Sequence, residues 1–76
     1  MKELIITIVK ALVDAPEQVS VSEIKGTRTT VLELKVAKED IGKVIGKQGR
    51  NARALRILLR AASAKTRANY ILEIIE

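Results

Sequence analysis

The chain contains no cysteine and no histidine, and its 76 residues include one proline, one tyrosine and neither tryptophan nor phenylalanine. The sequence therefore offers no disulfide framework, no thiolate or imidazole metal site and no cysteine–histidine catalytic pair. Apolar runs are short, as in Ile57 to Leu59, and fall far below the length of a membrane span. No secretory signal pattern opens the sequence, so we expect a cytoplasmic protein without a membrane association.

The short length limits the chain further. It fits one compact domain, and a domain of this size buries only about 60% of its unfolded surface, which leaves little room for an enclosed active site. Glu39 and Asp40 are adjacent, but they belong most simply to the first turn of a helix. Ser20, Ser22 and Ser63 have no histidine to activate them as nucleophiles. We therefore expect no enzyme, no cofactor, no metal and no small-molecule substrate.

Acidic residues are missing from one long stretch. The formal net charge is +5, yet residues 1–40 carry −1, residues 41–69 carry +8 without a single acid, and residues 70–76 carry −2. A solvated helix face normally mixes both signs, because opposite charges spaced four residues apart stabilise a helix. The unbalanced cations suggest an external polyanion as partner. The alternative is a basic face that only increases solubility.

Hydrophobic periodicity predicts an α+β fold in the order α-β-β-α-α-β. The predicted helices cover residues 2–14, 39–45 and 50–64. The predicted strands cover residues 18–25, 29–36 and 70–75. Ile24 is out of phase with Val19 and Val21, which suggests a β-bulge in the first strand. Glu39 and Asp40 are expected to stabilise the positive end of the second helix.

The predicted helix over residues 50–64 divides into three faces at about 100° per residue. Four apolar side chains are expected to pack on the sheet: Leu55, Leu58, Leu59 and Ala62. A basic stripe contains Arg53, Arg56 and Arg60, with Arg50 at its edge. Between these two faces lies an apolar seam formed by Ala54, Ile57 and Ala61. The large exposed Ile57 between two small residues suggests a surface for a partner.

Gly46-Lys47-Gln48-Gly49 connects the second and third predicted helices. The loop precedes the amino end of the basic helix, whose unpaired backbone N–H groups favour an anion. Glycine also lets a nucleic-acid backbone approach closely, because it has no Cβ. The alternative is a plain helix–helix turn in which glycine serves as a C-cap.

Residues 41–50, Ile-Gly-Lys-Val-Ile-Gly-Lys-Gln-Gly-Arg, resemble the signature of KH domains, in which a GxxG loop joins two helices. The order of elements resembles the type II arrangement, and the length is similar to that of the small stand-alone bacterial proteins of the KhpA family. The resemblance implies one KH domain over residues 1–76, with helices on one face of a three-stranded mixed sheet. The family commonly has isoleucine where this chain has Ala52, so that end of the groove is expected to be shallower.

The resemblance also implies a mechanism, because KH domains clamp the backbone of about four unpaired nucleotides and place the bases over an aliphatic groove. The implied phosphate-binding residues are those of the loop and its basic neighbours: Gly46, Lys47, Gln48, Gly49, Lys43, Arg50 and Arg53. The implied groove is lined by Ile45 and Leu34, and Arg28 belongs to the variable loop that starts at Gly26. Tyr70 is the only aromatic residue, which excludes a platform of stacked rings.

The leading hypothesis is therefore non-catalytic binding of single-stranded RNA. The resemblance implies an RNA chaperone or post-transcriptional regulator that works as a homodimer and pairs with a larger KH-containing RNA-binding protein. One alternative is a protein-interaction module that dimerises through Ala54, Ile57 and Ala61. Another is a helix-turn-helix DNA binder that uses residues 38–45 and 50–64 as its helix pair.

Overall fold

The computed structural model describes residues 1–66 and 68–75, and its helices and strands follow the predicted order. The helices are α1 (Lys2–Leu12), α2 (Ile41–Ile45) and α3 (Arg50–Ala62). The strands are β1 (Ser20–Lys25), β2 (Thr29–Lys35) and β3 (Asn69–Ile74). Short 3-10 turns occupy Pro16–Gln18, Lys38–Asp40 and Lys47–Gly49. Arg67, one of the eight basic residues between positions 41 and 69, lies outside the described residues.

The three strands form a mixed sheet in the order β1-β2-β3. β1 pairs antiparallel with β2 through a tight turn, whereas β3 pairs parallel with β2 after the α2–α3 crossover. Leu32 and Leu34 of β2 are fully buried, and the alternate residues Val31 and Glu33 lie on the opposite, open face. This is the arrangement of a type II KH fold, which confirms the predicted fold class.

The core lies between the helices and one face of the sheet. Its fully buried side chains come from every helix and from the central strand: Ile5, Val9, Val44, Leu55, Leu59, Leu32 and Leu34. Each large apolar side chain buried in this way contributes about 1.5–3 kcal/mol relative to exposure. The core thus fixes α3 against the sheet and leaves the loop before α3 at the surface.

α1 ends two residues earlier than predicted, at Leu12, because Val13 adopts an extended backbone conformation. The next two backbone N–H groups, of Asp14 and Ala15, donate to the carboxylate of Asp40 at 3.2 and 3.0 Å. Asp40 is only 2% exposed. Asp40 precedes the first residue of α2, as predicted, but its side chain caps no helix N–H and instead ties the end of α1 to the start of α2.

The predicted β-bulge at Ile24 is also wrong. β1 pairs with β2 without interruption from Ser20 to Lys25, and Ile24 lies opposite Val31. Ile24 is out of phase with Val21 because it lies on the open face of the sheet, where it is 52% exposed. Gln18, predicted as the first residue of the strand, belongs to the preceding 3-10 turn.

α3 packs on the sheet through a face rotated by about 55° from the predicted one, at 100° per residue. The buried side chains of this helix are Ala52, Leu55 and Leu59, followed by Ser63 just after its last turn. Leu58 and Ala62, which the sequence placed in the core, are exposed, Leu58 by 46%. The rotation moves Arg56 towards β3 and adds Leu58 to the outer side of the helix.

Candidate nucleic-acid interface

The GxxG loop, Gly46–Gly49, projects from the surface between α2 and α3. Three of its four residues have positive φ angles: Gly46 at 77°, Gln48 at 58° and Gly49 at 74°. The Gly46 N–H donates the last hydrogen bond of α2 to the Gly42 carbonyl at 2.9 Å. The Gly49 N–H donates to the Gly46 carbonyl at 3.1 Å. The side chains of Lys47 and Gln48 are exposed at the tip of this tight turn.

Gly46 has no room for a side chain. A Cβ at this position would lie 2.7 Å from Cγ and 2.8 Å from the backbone nitrogen of Asn51. Asn51 itself is held in place, because its Nδ2 donates to the Lys43 carbonyl at 2.8 Å. This hydrogen bond satisfies a carbonyl near the end of α2 and locks the two helices around the loop. At Gly49, by contrast, a Cβ would meet no atom within 4 Å.

The basic side chains around the loop differ in their availability. Lys47, Arg50 and Arg53 are exposed, and no carboxylate in residues 1–66 and 68–75 lies within ion-pair distance of them. Lys43 instead forms an ion pair with Asp14, and this hydrogen bond raises the pKa of the lysine above its ordinary value of 10.5. A phosphate that binds Lys43 must therefore compete with Asp14.

A groove runs from the GxxG loop along α3, between that helix and the free edge of β3. Its proximal cavity has a volume of about 510 Å³ and begins at Gln48 and Gly49. Ile45, Ala52 and Ile74 form its apolar lining, whereas Arg53 and Arg56 provide positive charge. Aliphatic side chains thus lie directly beside backbone and cationic groups that are suited to phosphate.

The groove continues past Arg56 into a distal cavity of about 420 Å³. Arg56 contributes to both cavities, and its Nη2 donates to the Leu72 carbonyl on the edge of β3 at 3.4 Å. Arg60 and Tyr70 also line the distal cavity. The basic stripe of α3 therefore follows the whole length of the groove.

Only one of the two predicted groove residues lines the groove. Ile45 lines the proximal cavity, but Leu34 does not, because it is fully buried beneath the helices. Ile74 of β3 occupies the place that was expected for Leu34, since the two residues are neighbours in the parallel β2–β3 register. Arg28 lies at the opposite end of β3 from the loop, where its carbonyl accepts from the Asn69 N–H at 2.9 Å.

Sequence reasoning did not assign Arg56, Arg60, Ile74 or Tyr70 to the interface. The sequence could have indicated the two arginines, because they belong to the predicted basic stripe. It indicated Ile74 and Tyr70 less clearly, since strand alternation only places both on the same face of β3 as Leu72. Only the pairing of β3 with β2 brings that face beside α3.

The outer strip of α3 is a second apolar surface, on the side of the helix away from the sheet. It consists of exposed residues that include the predicted seam: Ala54, Ile57, Leu58 and Ala61. Ile57 is 58% exposed and Leu58 is 46% exposed. Two large apolar side chains next to two small ones make a surface that a second helix can approach closely.

Among residues 1–66 and 68–75, no group of three or more carboxylates, cysteines or histidines is placed to hold a metal ion. No helix of the described chain has the length and apolar character needed to cross a bilayer.

Comparison with known proteins gives matches over nearly the whole chain. The family described as "KhpA/KhpB, KH domain" matches residues 2–74. The chain is 55% identical over 75 residues to the RNA-binding protein KhpA of Clostridium acetobutylicum, with 99% of this chain and 100% of the relative covered. It is 57% identical over 75 residues to the KhpA of Caldanaerobacter subterraneus, with the same coverage. Identity to the KhpA of Borreliella burgdorferi is 50% over 74 residues, which are 97% of this chain and 90% of the relative. No solved structure matches significantly.

Proposed function

The chain belongs to the KhpA/KhpB KH-domain family, and on that premise we propose that it binds single-stranded RNA without catalysing a reaction. The observation that carries this proposal is the groove, which joins the GxxG loop to an aliphatic lining and to the arginines of α3. The relatives are named RNA-binding protein KhpA, which agrees with this proposal. We further propose that residues 1–76 act as a single KH domain in the cytoplasm.

In the proposed mechanism, the RNA backbone lies against Gly46–Gly49 and the bases lie over Ile45, Ala52 and Ile74. Lys47, Arg50 and Arg53 neutralise the phosphates, because their charges have no carboxylate partner in the described structure. Ala52 contributes a small apolar side chain to the floor of the groove. This aliphatic floor needs no ring platform, which the single aromatic residue could not provide.

The test of the loop is the double variant Lys47→Asp with Gln48→Asp. It introduces carboxylates where phosphates are proposed to bind, and aspartate tolerates the left-handed conformation of residue 48. Binding of a fluorescently labelled single-stranded RNA should be lost while the circular-dichroism spectrum stays unchanged. A matched control is Lys25→Asp with Gln18→Asp, which makes the same charge change at exposed positions near β1.

The control variant should retain most of the wild-type affinity, and log affinity should fall with log salt with a slope of about −2 to −3 for three to four neutralised phosphates. Equal affinities of the loop variant and the control would contradict the proposed site. Tighter binding of duplex DNA than of single-stranded RNA would instead favour the helix-turn-helix alternative.

We also propose that the chain forms a homodimer through the outer strip of α3, and that the same surface serves an interaction with a larger KH-containing protein. The exposure of Ile57 and Leu58 supports this proposal, because two large apolar side chains face solvent on one helix. A dimer presents two grooves, which raises avidity for one RNA through effective concentration and suits a chaperone or post-transcriptional regulator.

Sedimentation tests the dimer with Ile57→Asp. The variant should sediment as a monomer at concentrations where the wild type is dimeric, because a carboxylate in an apolar interface is costly to desolvate. Ile24→Asp is the matched control, since Ile24 is 52% exposed on the open face of the sheet. A monomeric wild type, or dissociation by the Ile24 variant alone, would refute the assigned surface.

A further inference from the structure

The distal cavity lies beyond the part of the groove that the GxxG loop serves. Its volume of about 420 Å³ falls within the range of small-molecule binding pockets, about 300–1,000 Å³. Leu59, Leu72 and Tyr70 give it an apolar floor, and Arg56 and Arg60 line it with positive charge. No carboxylate residue lines the described cavity. These properties suit a flat, partly apolar group attached to an anion.

Tyr70 is held in a fixed position at this end of the groove. It pairs with the buried Thr30 in the β2–β3 register and is packed against the core, yet part of its side chain still lines the cavity. A side chain fixed in this way loses little further conformational entropy on binding. Tyr70 can therefore offer one ring to one base, although it cannot form a platform.

The two cavities follow one another along the groove and share Arg56. Tyr70 lies four residues before Ile74 on β3, which corresponds to about 13 Å along the strand. A strand that begins at the GxxG loop, passes Ile74 and continues along α3 therefore reaches the distal cavity.

We propose that the distal cavity binds one additional nucleobase beyond the four clamped nucleotides, with the base against Tyr70 and its phosphate near Arg60. The inference rests on the proposed RNA-binding function and extends the binding site to five or more nucleotides. Arg56, held by its hydrogen bond to the Leu72 carbonyl, lies between the clamped segment and the additional base.

The lone tyrosine supplies its own probe, because the chain has no tryptophan and no other tyrosine. Tyrosine emission of the full chain is measured while a four-nucleotide and a seven-nucleotide single-stranded RNA are titrated separately. The seven-nucleotide RNA should quench the emission and the four-nucleotide RNA should not. Binding of both RNAs is followed in parallel through a label on the RNA, so that binding without quenching is detected.

The two proposals fail in different ways. If neither RNA binds, the proposed function itself is wrong. If both bind with equal affinity and the emission does not change, the RNA site ends before Tyr70 and only the distal site is refuted. Quenching by the four-nucleotide RNA as strong as by the seven-nucleotide RNA also refutes an additional subsite.

Arg60→Gln tests the site through an exposed side chain whose loss does not disturb the core. Affinity for the seven-nucleotide RNA should fall and its salt slope should become shallower by about 0.7, whereas the four-nucleotide RNA should bind as before. Arg53→Gln is the matched control in the proximal cavity, and it should weaken both RNAs. An equal effect of Arg60→Gln on both lengths would overturn the proposal.

Tyr70→Leu provides a second, independent measurement. Loss of a base–aromatic contact should reduce affinity for the seven-nucleotide RNA about tenfold, and Tyr70→Phe should retain it, because the ring and not the hydroxyl makes the contact. Far-UV circular dichroism verifies that both variants are folded. Equal affinity of the folded leucine and phenylalanine variants for the seven-nucleotide RNA would refute the role of the ring.

Discussion

Replacement of Gly46 by alanine should destabilise the fold more than the same replacement of Gly49, the other glycine of the loop. Gly46 has φ 77° and ψ 172°, a combination that is essentially restricted to glycine. The added Cβ would approach the backbone nitrogen of Asn51 at 2.8 Å, and a backbone atom cannot rotate away. Relief of the contact would also break the hydrogen bond from Asn51 to the Lys43 carbonyl.

The expected cost follows from these terms. The backbone conformation costs about 1–3 kcal/mol for a residue with a Cβ, and the lost hydrogen bond adds about 1 kcal/mol. We expect Gly46→Ala to lower the free energy of unfolding by about 3 kcal/mol. A domain of this length has a total stability of about 4–11 kcal/mol, so a large part of it is lost.

Two glycines of the same segment serve as matched controls. Gly49→Ala also places a Cβ at positive φ but meets no atom within 4 Å, so it should cost only about 1 kcal/mol. Gly42→Ala lies in α2 with open space around it and should be neutral or stabilising by about 0.5 kcal/mol.

Urea denaturation followed by circular dichroism measures all three variants. With an m-value of about 1 kcal/mol/M, Gly46→Ala should lower the midpoint by about 3 M. The reasoning about Gly46 would be refuted if this variant lost no more stability than Gly49→Ala.

Two further predictions concern Asp40 and Asp14, which lie where the end of α1 meets the start of α2. Asp40→Ala leaves two backbone N–H groups without their charged acceptor and should lower the free energy of unfolding by about 3 kcal/mol in urea denaturation. Asp40→Asn keeps one side-chain oxygen and should cost about half as much. An alanine variant as stable as the wild type would contradict the role of Asp40 as a buried acceptor. Asp14→Asn removes the ion pair that occupies Lys43, so it should lower the Lys43 pKa in an NMR titration and raise RNA affinity about threefold. Because the Lys43 pKa is raised in the fold, the stabilisation by the pair is present below pH 10.5 and is lost as the pH rises through the raised value. Glu17→Gln makes the same charge change nearby, and an equal gain in RNA affinity there would show that only net charge matters.

Local patterns predicted most of the architecture. The alternation of Leu32 and Leu34 identified β2, and the structure buries both residues completely. Gly46 and Gly49 marked the loop, and both have the positive φ angles that favour glycine. These predictions succeeded because the period of a strand and the conformational freedom of glycine are properties of a few neighbouring residues.

Two of the errors arose because a local period does not show which side of an element faces the core. Helical periodicity groups Leu55, Leu58 and Leu59 on one side, but it does not say which edge of that group meets the sheet. The packing of α3 on the sheet sets the orientation of the helix, and it buries Ala52 while Leu58 stays exposed. Ile24 was interpreted as a bulge for the same reason, because strand alternation does not reveal that both faces carry apolar residues.

The sequence by itself determined the element order, the GxxG loop and the concentration of positive charge between residues 41 and 69, because each depends on the chain's local chemistry. Only the tertiary structure decided which residues share the groove. The parallel pairing of β3 with β2 brings Ile74 and Tyr70 beside Arg56, and packing of α3 buries Leu34 while it exposes Leu58. These contacts join residues that lie far apart in the chain, and their selection depends on the packing of the whole core rather than on any local period.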